Sequence, residues 1–258
     1  MSDIRAAFFD IDGTLLPFGA TTLPVGTRKA LDQLRENGIR IFLATGRPPV
    51  HLPHLHAFDD ITFDGYVTMN GQYCFDAQGV IYSEPLPRSA LEMLVPYLAQ
   101  SDLAISFVER DYAYLNRNNA LSDGFRRQME MPIDDPVRSL TEPTYQLSAF
   151  LPQDTEAEFM AHCPGCKSVR WSPDFADILP ADGGKPCGVG KVLEHYGWTA
   201  EQAIAFGDGD NDTDMLRYVG IGVAMGNAGE PVKAAADYVT AKDVEDGIAK
   251  ALRHFGLI

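Results

Sequence analysis

Asp10 and Asp12 stand two residues apart at the end of the apolar run Ala6-Ala7-Phe8-Phe9, and Gly13 follows them. A run that apolar reads as a strand buried on both faces. Side chains of an extended chain repeat with period two, so both carboxylates leave the strand toward the same side. Gly13 then lets the chain turn away. Open α/β sheets place their ligands at the carboxyl ends of parallel strands. Two like charges emerging so close together repel unless a cation or a shared proton offsets them. Taken alone, Asp and Gly after a strand also describe an ordinary surface turn.

Two further strand ends weigh against the surface turn. The apolar stretch Ile39–Ala44 runs into Thr45-Gly46-Arg47, and Ala203–Phe206 runs into Gly207-Asp208-Gly209-Asp210-Asn211-Asp212. In a parallel sheet these ends lie along one edge, so residues far apart in sequence converge. Lys185 precedes the second half of that sheet. The inventory is three or four carboxylates, a hydroxyl beside a backbone amide, an amide side chain and an ammonium. It suits phosphoryl transfer with a hard cation, for which Mg²⁺ takes a few carboxylates plus water and substrate phosphate. One carboxylate can attack phosphorus. A second can protonate the leaving oxygen and later deprotonate water. Thr45, the Gly46 amide, Lys185 and the metal can stabilise the charge on the phosphoryl oxygens.

The elements that must position these residues follow from periodicity. Strand Ala6–Phe9, an amphipathic helix over 26–37 ending at Gly38, strand 39–44 and strand 66–69 ending at Asn70-Gly71 make βαβ grammar. The same grammar returns after Lys185: a helix to Tyr196, strand 203–206, helix 213–219, strand 221–224, helix 231–236, strand 238–240 and helix 246–255. Thr199 and Gln202 have capping-box spacing. Between the halves the pattern becomes a helix followed by two strands, twice over. The elements are helix 88–99, strands 104–108 and 112–116, helix 120–131, strand 145–151, helix 155–162, and strands 167–171 and 175–179. Such strands pair antiparallel, and 132–144 reads as a loop. The expected fold is α/β: a Rossmann-like parallel-sheet core, residues 1–83 and 183–258, interrupted by an α+β cap, residues 84–182.

A chain of 258 residues with 45% hydrophobic and 22% charged residues is that of a globular protein with room for a core domain and a smaller one. A net charge of −15 argues against nucleic acid or an anionic membrane as partner. No apolar run reaches membrane-spanning length and no signal peptide precedes the first strand, so the expected compartment is the cytoplasm. No obligate protein partner is evident. An acidic chain that handles an anion needs a local positive field, which a bound metal supplies.

The motifs Asp10-Ile11-Asp12-Gly13-Thr14-Leu15, Thr45-Gly46-Arg47, Lys185 and Gly207-Asp208-Gly209-Asp210-Asn211-Asp212 resemble the four motifs of the haloacid dehalogenase-like superfamily of phosphatases. The inserted α+β unit and the stretch Gly222-Val223-Ala224-Met225-Gly226-Asn227-Ala228 resemble its Cof-type branch, within which the chain is most similar to small-capped bacterial sugar phosphatases. The resemblance implies that Asp10 is the nucleophile and a Mg²⁺ ligand. It makes Asp12 the general acid and base, with its backbone carbonyl on the metal. Asp208 becomes the further carboxylate ligand, with Asp212 in a supporting shell. Thr45, Gly46, Lys185 and Asn211 would hold phosphoryl oxygens. Lys185 is followed by Pro186 where the branch usually has Gly, so Lys191 is the fallback.

Other motifs carry less. Asp208-x-Asp210-x-Asp212 begins like a calcium loop, but Thr213 and Val219 stand where that loop needs Gly and Glu. Gly183-Gly184-Lys185 lacks the GxxxxGK[ST] spacing of a nucleotide loop. Cys163-Pro164-Gly165-Cys166 follows a helix and reads as a turn into a strand, unlike a redox motif, which opens a helix. His51, His54 and His56, interrupted by Pro53, read as a solvated helix start. Arg47 is either a substrate attractor or a surface residue. In the cap, Glu109, Tyr112 and Asn116 are the expected leaving-group contacts. Two functional alternatives stand beside a phosphatase of small, chiefly sugar, phosphomonoesters. One is a phosphomutase, and the other a phospho-receiver module in which phospho-aspartate accumulates.

Overall fold

Every residue of strand β1, Ala6–Phe9, is buried, so both of its faces need cover and both of its edges need partners. The structure, a computed structural model, describes residues 3–170 and 172–258. It satisfies β1 with strands from the two halves of the chain. Helix α1 (Val25–Glu36) leads to β2 (Arg40–Ala44), and β3 (Gly65–Thr68) follows. Strands β4 (Tyr73–Asp76) and β5 (Gly79–Ser83) then form a hairpin on the sheet edge. The hairpin extends what periodicity predicts. Its turn is held by Asp76 Oδ1, which accepts from the backbone N–H groups of Gln78 and Gly79, an Asx turn written in Asp-x-x-Gly.

The second sheet is built from β6 (Ala104–Val108), β7 (Ala113–Leu115), β8 (Gln146–Phe150), β9 (Cys166–Val169) and β10 (Ala176–Pro180), all paired antiparallel in the order β7-β6-β8-β10-β9. Helices α2 (Arg88–Leu98), α3 (Asp123–Gln128) and α4 (Glu156–Met160) accompany it. The chain returns through α5 (Lys185–Tyr196), β11 (Ala203–Gly207), α6 (Thr213–Tyr218), β12 (Ile221–Ala224), α7 (Glu230–Ala235), β13 (Tyr238–Val239) and α8 (Gly247–His254). The first sheet therefore runs β13-β12-β11-β1-β2-β3-β4-β5, parallel from β13 to β3.

Alternation along β1 divides its cover. Phe9 stacks on Phe206 at 5.0 Å and belongs to the core closed by Leu31 and Leu34 of α1 with Ile248 and Leu252 of α8. Phe8 stacks on Phe42 at 4.9 Å beneath Val189, Val192 and Leu193 of α5 and Leu216 of α6. Burying such side chains contributes roughly 1.5–3 kcal/mol each. In the second sheet Ile105, Phe107, Leu147 and Ile178 pack under Leu91, Leu94 and Leu98 of α2 and Phe159 of α4. The alternate positions face the other way, toward the first sheet.

Elements shorter than expected lie in this inserted unit. The helix expected over 120–131 is confined to α3, because Asn119 bonds back onto Leu121 and Ser122 before it, while Glu130 takes φ +50° after it. A 3-10 turn, Pro136–Leu140, occupies the expected loop. Cys163–Cys166 is a turn with Gly165 at φ +75°, and burial pushes the two thiols up to about 12 and about 11, so neither is a poised thiolate. The expected strand 167–171 corresponds to β9, and Trp171 lies outside the described residues. Among the described residues no helix is long and apolar enough to cross a membrane.

Candidate active site

The three polar strand ends of the parallel sheet converge. Asp10 continues β1 by one ladder bond, its N–H donating to the Phe206 carbonyl at 3.0 Å. The loop beyond it presses against Asp208. Gly13 has φ +82°, and a Cβ there would fall 2.3 Å from Asp208 Oδ2, so only glycine permits the approach. Thr14 Oγ1 donates to Asp208 Oδ1 at 2.8 Å. Asn227 Nδ2 donates to the Gly13 carbonyl at 2.8 Å, which ties the loop after β12 to the same point.

Lys185 lies in the first turn of α5 with its side chain buried. Its Nζ donates to Asp10 Oδ1 at 2.5 Å and to Asp212 Oδ1 at 2.6 Å. Pro186 is no obstacle, since the first turn of a helix has no partner for the missing N–H. Lys191 points elsewhere and pairs with Glu194 on the surface. Asp212 Oδ2 accepts from the N–H groups of Asp208 and Gly209, both at 3.0 Å. With its other oxygen on Lys185, Asp212 braces the loop and the ammonium together.

One oxygen from each of Asp10, Asp208 and Asp212 lies within 4.8 Å of the others. Burial lifts the Asp10 carboxyl well above the usual carboxylate range, against the pull of Lys185 and with the charges of Asp212, Asp208 and Asp12 adding to the rise. Burial likewise pushes Asp208 up to about 7. Burial alone would lower Lys185; the two carboxylates beside it outweigh that and hold it protonated. Crowded oxygens that resist ionisation are what a hard divalent cation relieves, so these residues fit Mg²⁺.

Asp12 meets Arg47 through a bidentate pair, Nε to Oδ2 and Nη2 to Oδ1, both 2.7 Å. Arg47, left undecided by the sequence, is thus half-buried at the site; its signal was its place directly after Thr45-Gly46. Thr45 is held by its N–H on the Val67 carbonyl, and its Oγ1 accepts from the Arg47 N–H at 3.1 Å. Asn211 Nδ2 donates to Asn70 Oδ1 at 2.9 Å. The sequence marks Asn70 only as the end of a strand.

A cavity of about 540 Å³ opens above this floor. Asp10, Asp12, Thr45, Gly46, Arg47, Asp208 and Asn211 line it on one side. The other side is the free face of the antiparallel sheet, with Ser106, Val108, Gln146, Ser148 and Asp177, together with Phe125, Met129 and Phe175. The expected contacts Glu109, Tyr112 and Asn116 are not among the lining residues, and each is engaged elsewhere. Glu109 clamps Arg138 at 2.7 and 2.8 Å, the Tyr112 hydroxyl donates to Asp134, and Asn116 holds the backbone of Leu103 and Ile105. Period two explains the miss: Ser106, Val108 and, opposite Val108, Ala113 face the cavity, whereas Glu109 and Tyr112 in the connection between them do not line it. The histidines also divide. His51, in a 3-10 turn over Pro49–His54, is half-buried and lines the cavity, whereas His56 pairs with Asp59 on the surface. Burial, with Arg47 and His54 nearby, pushes His51 down to about 4, so it is neutral at pH 7.

A profile of the haloacid dehalogenase-like hydrolases matches residues 7–252. YkrA of Bacillus subtilis, described as a phosphatase, is 33% identical over 259 residues, which cover 99% of each chain. The pyridoxal phosphate phosphatase YbhA of Escherichia coli is 30% identical over 95% of this chain and 96% of its own. Among solved structures, the subclass IIB sugar phosphatase BT4131 superposes with a TM-score of 0.91 at 38% identity, covering 98% of this chain and all of that one. BT1666, a phosphatase of Bacteroides thetaiotaomicron, gives 0.90 at 32% identity over 99% and 96%. With three polar strand ends and Lys185 of α5 gathered at one edge of a parallel sheet beneath an inserted antiparallel one, the chain belongs to the haloacid dehalogenase-like hydrolases and is a phosphatase of their subclass IIB.

Proposed function

We propose that the enzyme hydrolyses small phosphomonoesters, sugar phosphates foremost, through phosphorylation of Asp10. The observation that carries this reading is the pairing of Asp10 with a buried ammonium 2.5 Å away, on the floor of a cavity roofed by the second sheet. Asp10 attacks phosphorus and the alcohol leaves; Asp12 gives the leaving oxygen its proton. Asp12 then takes a proton from the water that hydrolyses the acyl phosphate and restores Asp10. The Thr45 hydroxyl, Gly46 N–H, Lys185 and Asn211 hold the phosphoryl oxygens through both steps. Asp10 and Asp208, with the Asp12 backbone carbonyl, would hold Mg²⁺, which when bound withdraws charge from the phosphoryl group. An arriving phosphate competes for Arg47 and frees Asp12 to carry a proton.

The leaving-group side of the cavity is polar at Ser106, Gln146 and Ser148 and apolar at Val108, Phe125, Met129 and Phe175. A hexose matches both, with hydroxyls at its edge and C–H groups on its faces, and the likeness to a sugar phosphatase at 38% identity supports it. The exposed ring of Phe18 at the same mouth, with Phe125 and Phe175, favours a second reading, a flat heterocyclic phosphate such as pyridoxal phosphate. Phosphate release from a panel of hexose phosphates, pyridoxal phosphate, nucleotides and p-nitrophenyl phosphate, with Mg²⁺ or EDTA and with Asp10→Asn alongside, tests the reading. Metal-dependent release that vanishes in the variant, ranked with hexose phosphates first, is expected. Release with pyridoxal phosphate first selects the second reading. A stable acyl phosphate without release makes the protein a receiver module, and phosphate transferred to a second substrate hydroxyl makes it a mutase.

A further inference from the structure

We propose that Asn70 is a positioning residue, a latch through which closure of the antiparallel sheet sets the amide of Asn211 at the phosphoryl site; this rests on the phosphatase reading above. Asn70 follows the end of β3 and is 1% exposed. Its backbone is left-handed, φ +52° and ψ +38°, a conformation that Asn tolerates better than other residues with a side chain. Its N–H donates to the Thr45 carbonyl at 3.0 Å, so the backbone of the phosphate-holding loop is seated on it. Gly46 packs on the same amide: a Cβ there would lie 3.2 Å from Asn70 Nδ2.

The side chain divides its bonds between the two sheets. Nδ2 donates to Gln146 Oε1 at 3.0 Å and to Asp177 Oδ2 at 3.1 Å, both on the cavity face of the antiparallel sheet. Oδ1 accepts from Asn211 Nδ2 at 2.9 Å. Nδ2 faces two acceptors, Gln146 Oε1 and Asp177 Oδ2, and Oδ1 is left to accept from Asn211. Gln146 and Asp177 are 5% and 2% exposed, and the second oxygen of Asp177 accepts from Ser148 at 2.7 Å. In a buried network each member fixes the orientation of the next. Lifting the antiparallel sheet breaks both Nδ2 bonds at once, and the Asn70 amide is then free to rotate away from Asn211. Closure does the reverse and presents Asn211 in one orientation.

Closure can be read without turnover. A dye pair introduced through non-natural amino acids at exposed Val25, beside the first sheet, and exposed Val137, in the inserted unit, reports the closed-to-open ratio in Mg²⁺ and orthovanadate. Asn70→Gly keeps the left-handed backbone and removes only the amide. It should lower the ratio about 10-fold, the loss of two hydrogen bonds. Asn70→Asp, which sets a carboxylate against Asp177, should lower it further, and Gln146→Ala should lower it from the other side. On the best substrate of the panel, Asn70→Gly should lower kcat about 10-fold with KM changed less than about 3-fold. Asn70→Gly and Gln146→Ala combined should cost little more than Asn70→Gly alone. A ratio within 2-fold of wild type in both Asn70→Gly and Gln146→Ala overturns the latch. So does a closed-to-open shift with kcat unchanged, which would leave Asn70 a purely structural contact. If wild type releases phosphate from no substrate yet Asn70→Gly opens the molecule, the phosphatase reading fails and the latch stands.

Discussion

The two sheets handle chemistry in opposite ways. In the parallel sheet reactive groups sit at strand ends, in runs such as Asp10-Ile11-Asp12-Gly13 and Asp208-Gly209-Asp210-Asn211-Asp212. Parallel pairing brings those ends to one edge whatever their separation in the chain. In the antiparallel sheet the cavity is met by a face, so its residues are scattered at alternate positions: Ser106 and Val108, then Gln146 and Ser148, then Phe175 and Asp177. Their register is what assembles them, Ser106 opposite Ser148 and Val108 opposite Gln146, with Asp177 opposite Ser148. Strand-end chemistry is compact and legible; face chemistry is dilute and depends on pairing. In the function proposed above, the first serves a reaction common to all substrates and the second the part of the substrate that varies.

If that division holds, a change at the strand ends should damage every substrate alike. Asp10→Asn is expected to lower kcat at least about 10³-fold on each member of a phosphate-release panel, with the substrate ranking lost in the background. A variant that spared one substrate would mean that the face also supplies chemistry. Lys185→Met should come next, because it leaves Asp10 and Asp212 buried without their ammonium. A loss of about 3–5 kcal/mol in urea unfolding is expected without Mg²⁺, with part of it recovered on adding the ion. A change on the face should act selectively. Phe125→Ala is expected to alter kcat/KM by about 10–200-fold between substrates that differ in their apolar surface, while acetyl phosphate, which leaves that wall untouched, keeps its rate within about 3-fold. Uniform loss across the panel would erase the distinction between the sheets.

The smallest effect concerns His51, which sits between the two regions. Its folded value is depressed from about 6.5 to about 4, chiefly by burial. Its contribution to stability is therefore present above pH 6.5 and lost as the pH falls toward 4. Melting temperatures measured from pH 4 to pH 8 should fall less steeply on the acid side for His51→Gln than for wild type. Parallel curves would place the acid sensitivity elsewhere.

The expectations that held and those that failed divide along the same line. β1, β6, β12 and α5 lie where their apolar patterns put them, because burial on one or both faces writes itself into periodicity. Periodicity does not reveal the hairpin of β4 and β5, since Asp76 and Gly79 mark a turn without saying which sheet the strands join. Arg47 stood next to a legible motif, yet its bidentate hold on Asp12 joins residues 35 apart. Glu109, Tyr112 and Asn116 are expected contacts only by their position at a hairpin, whereas the cavity follows the pleat.

What the sequence by itself determined is the strand-end inventory: two carboxylates after β1, a hydroxyl and glycine after β2, an acidic loop after β11, and the lysine that opens α5. Each is local, set by a strand that must be buried and a turn that must leave it. What only the tertiary structure decided is which groups share an atom-to-atom contact. Lys185 bridging Asp10 and Asp212, and Asn70 dividing its amide between Asn211 and the pair Gln146 and Asp177, join residues 27 to 175 positions apart. Contacts of that range depend on strand order and on how one sheet sits over the other, and no spacing along the chain encodes either.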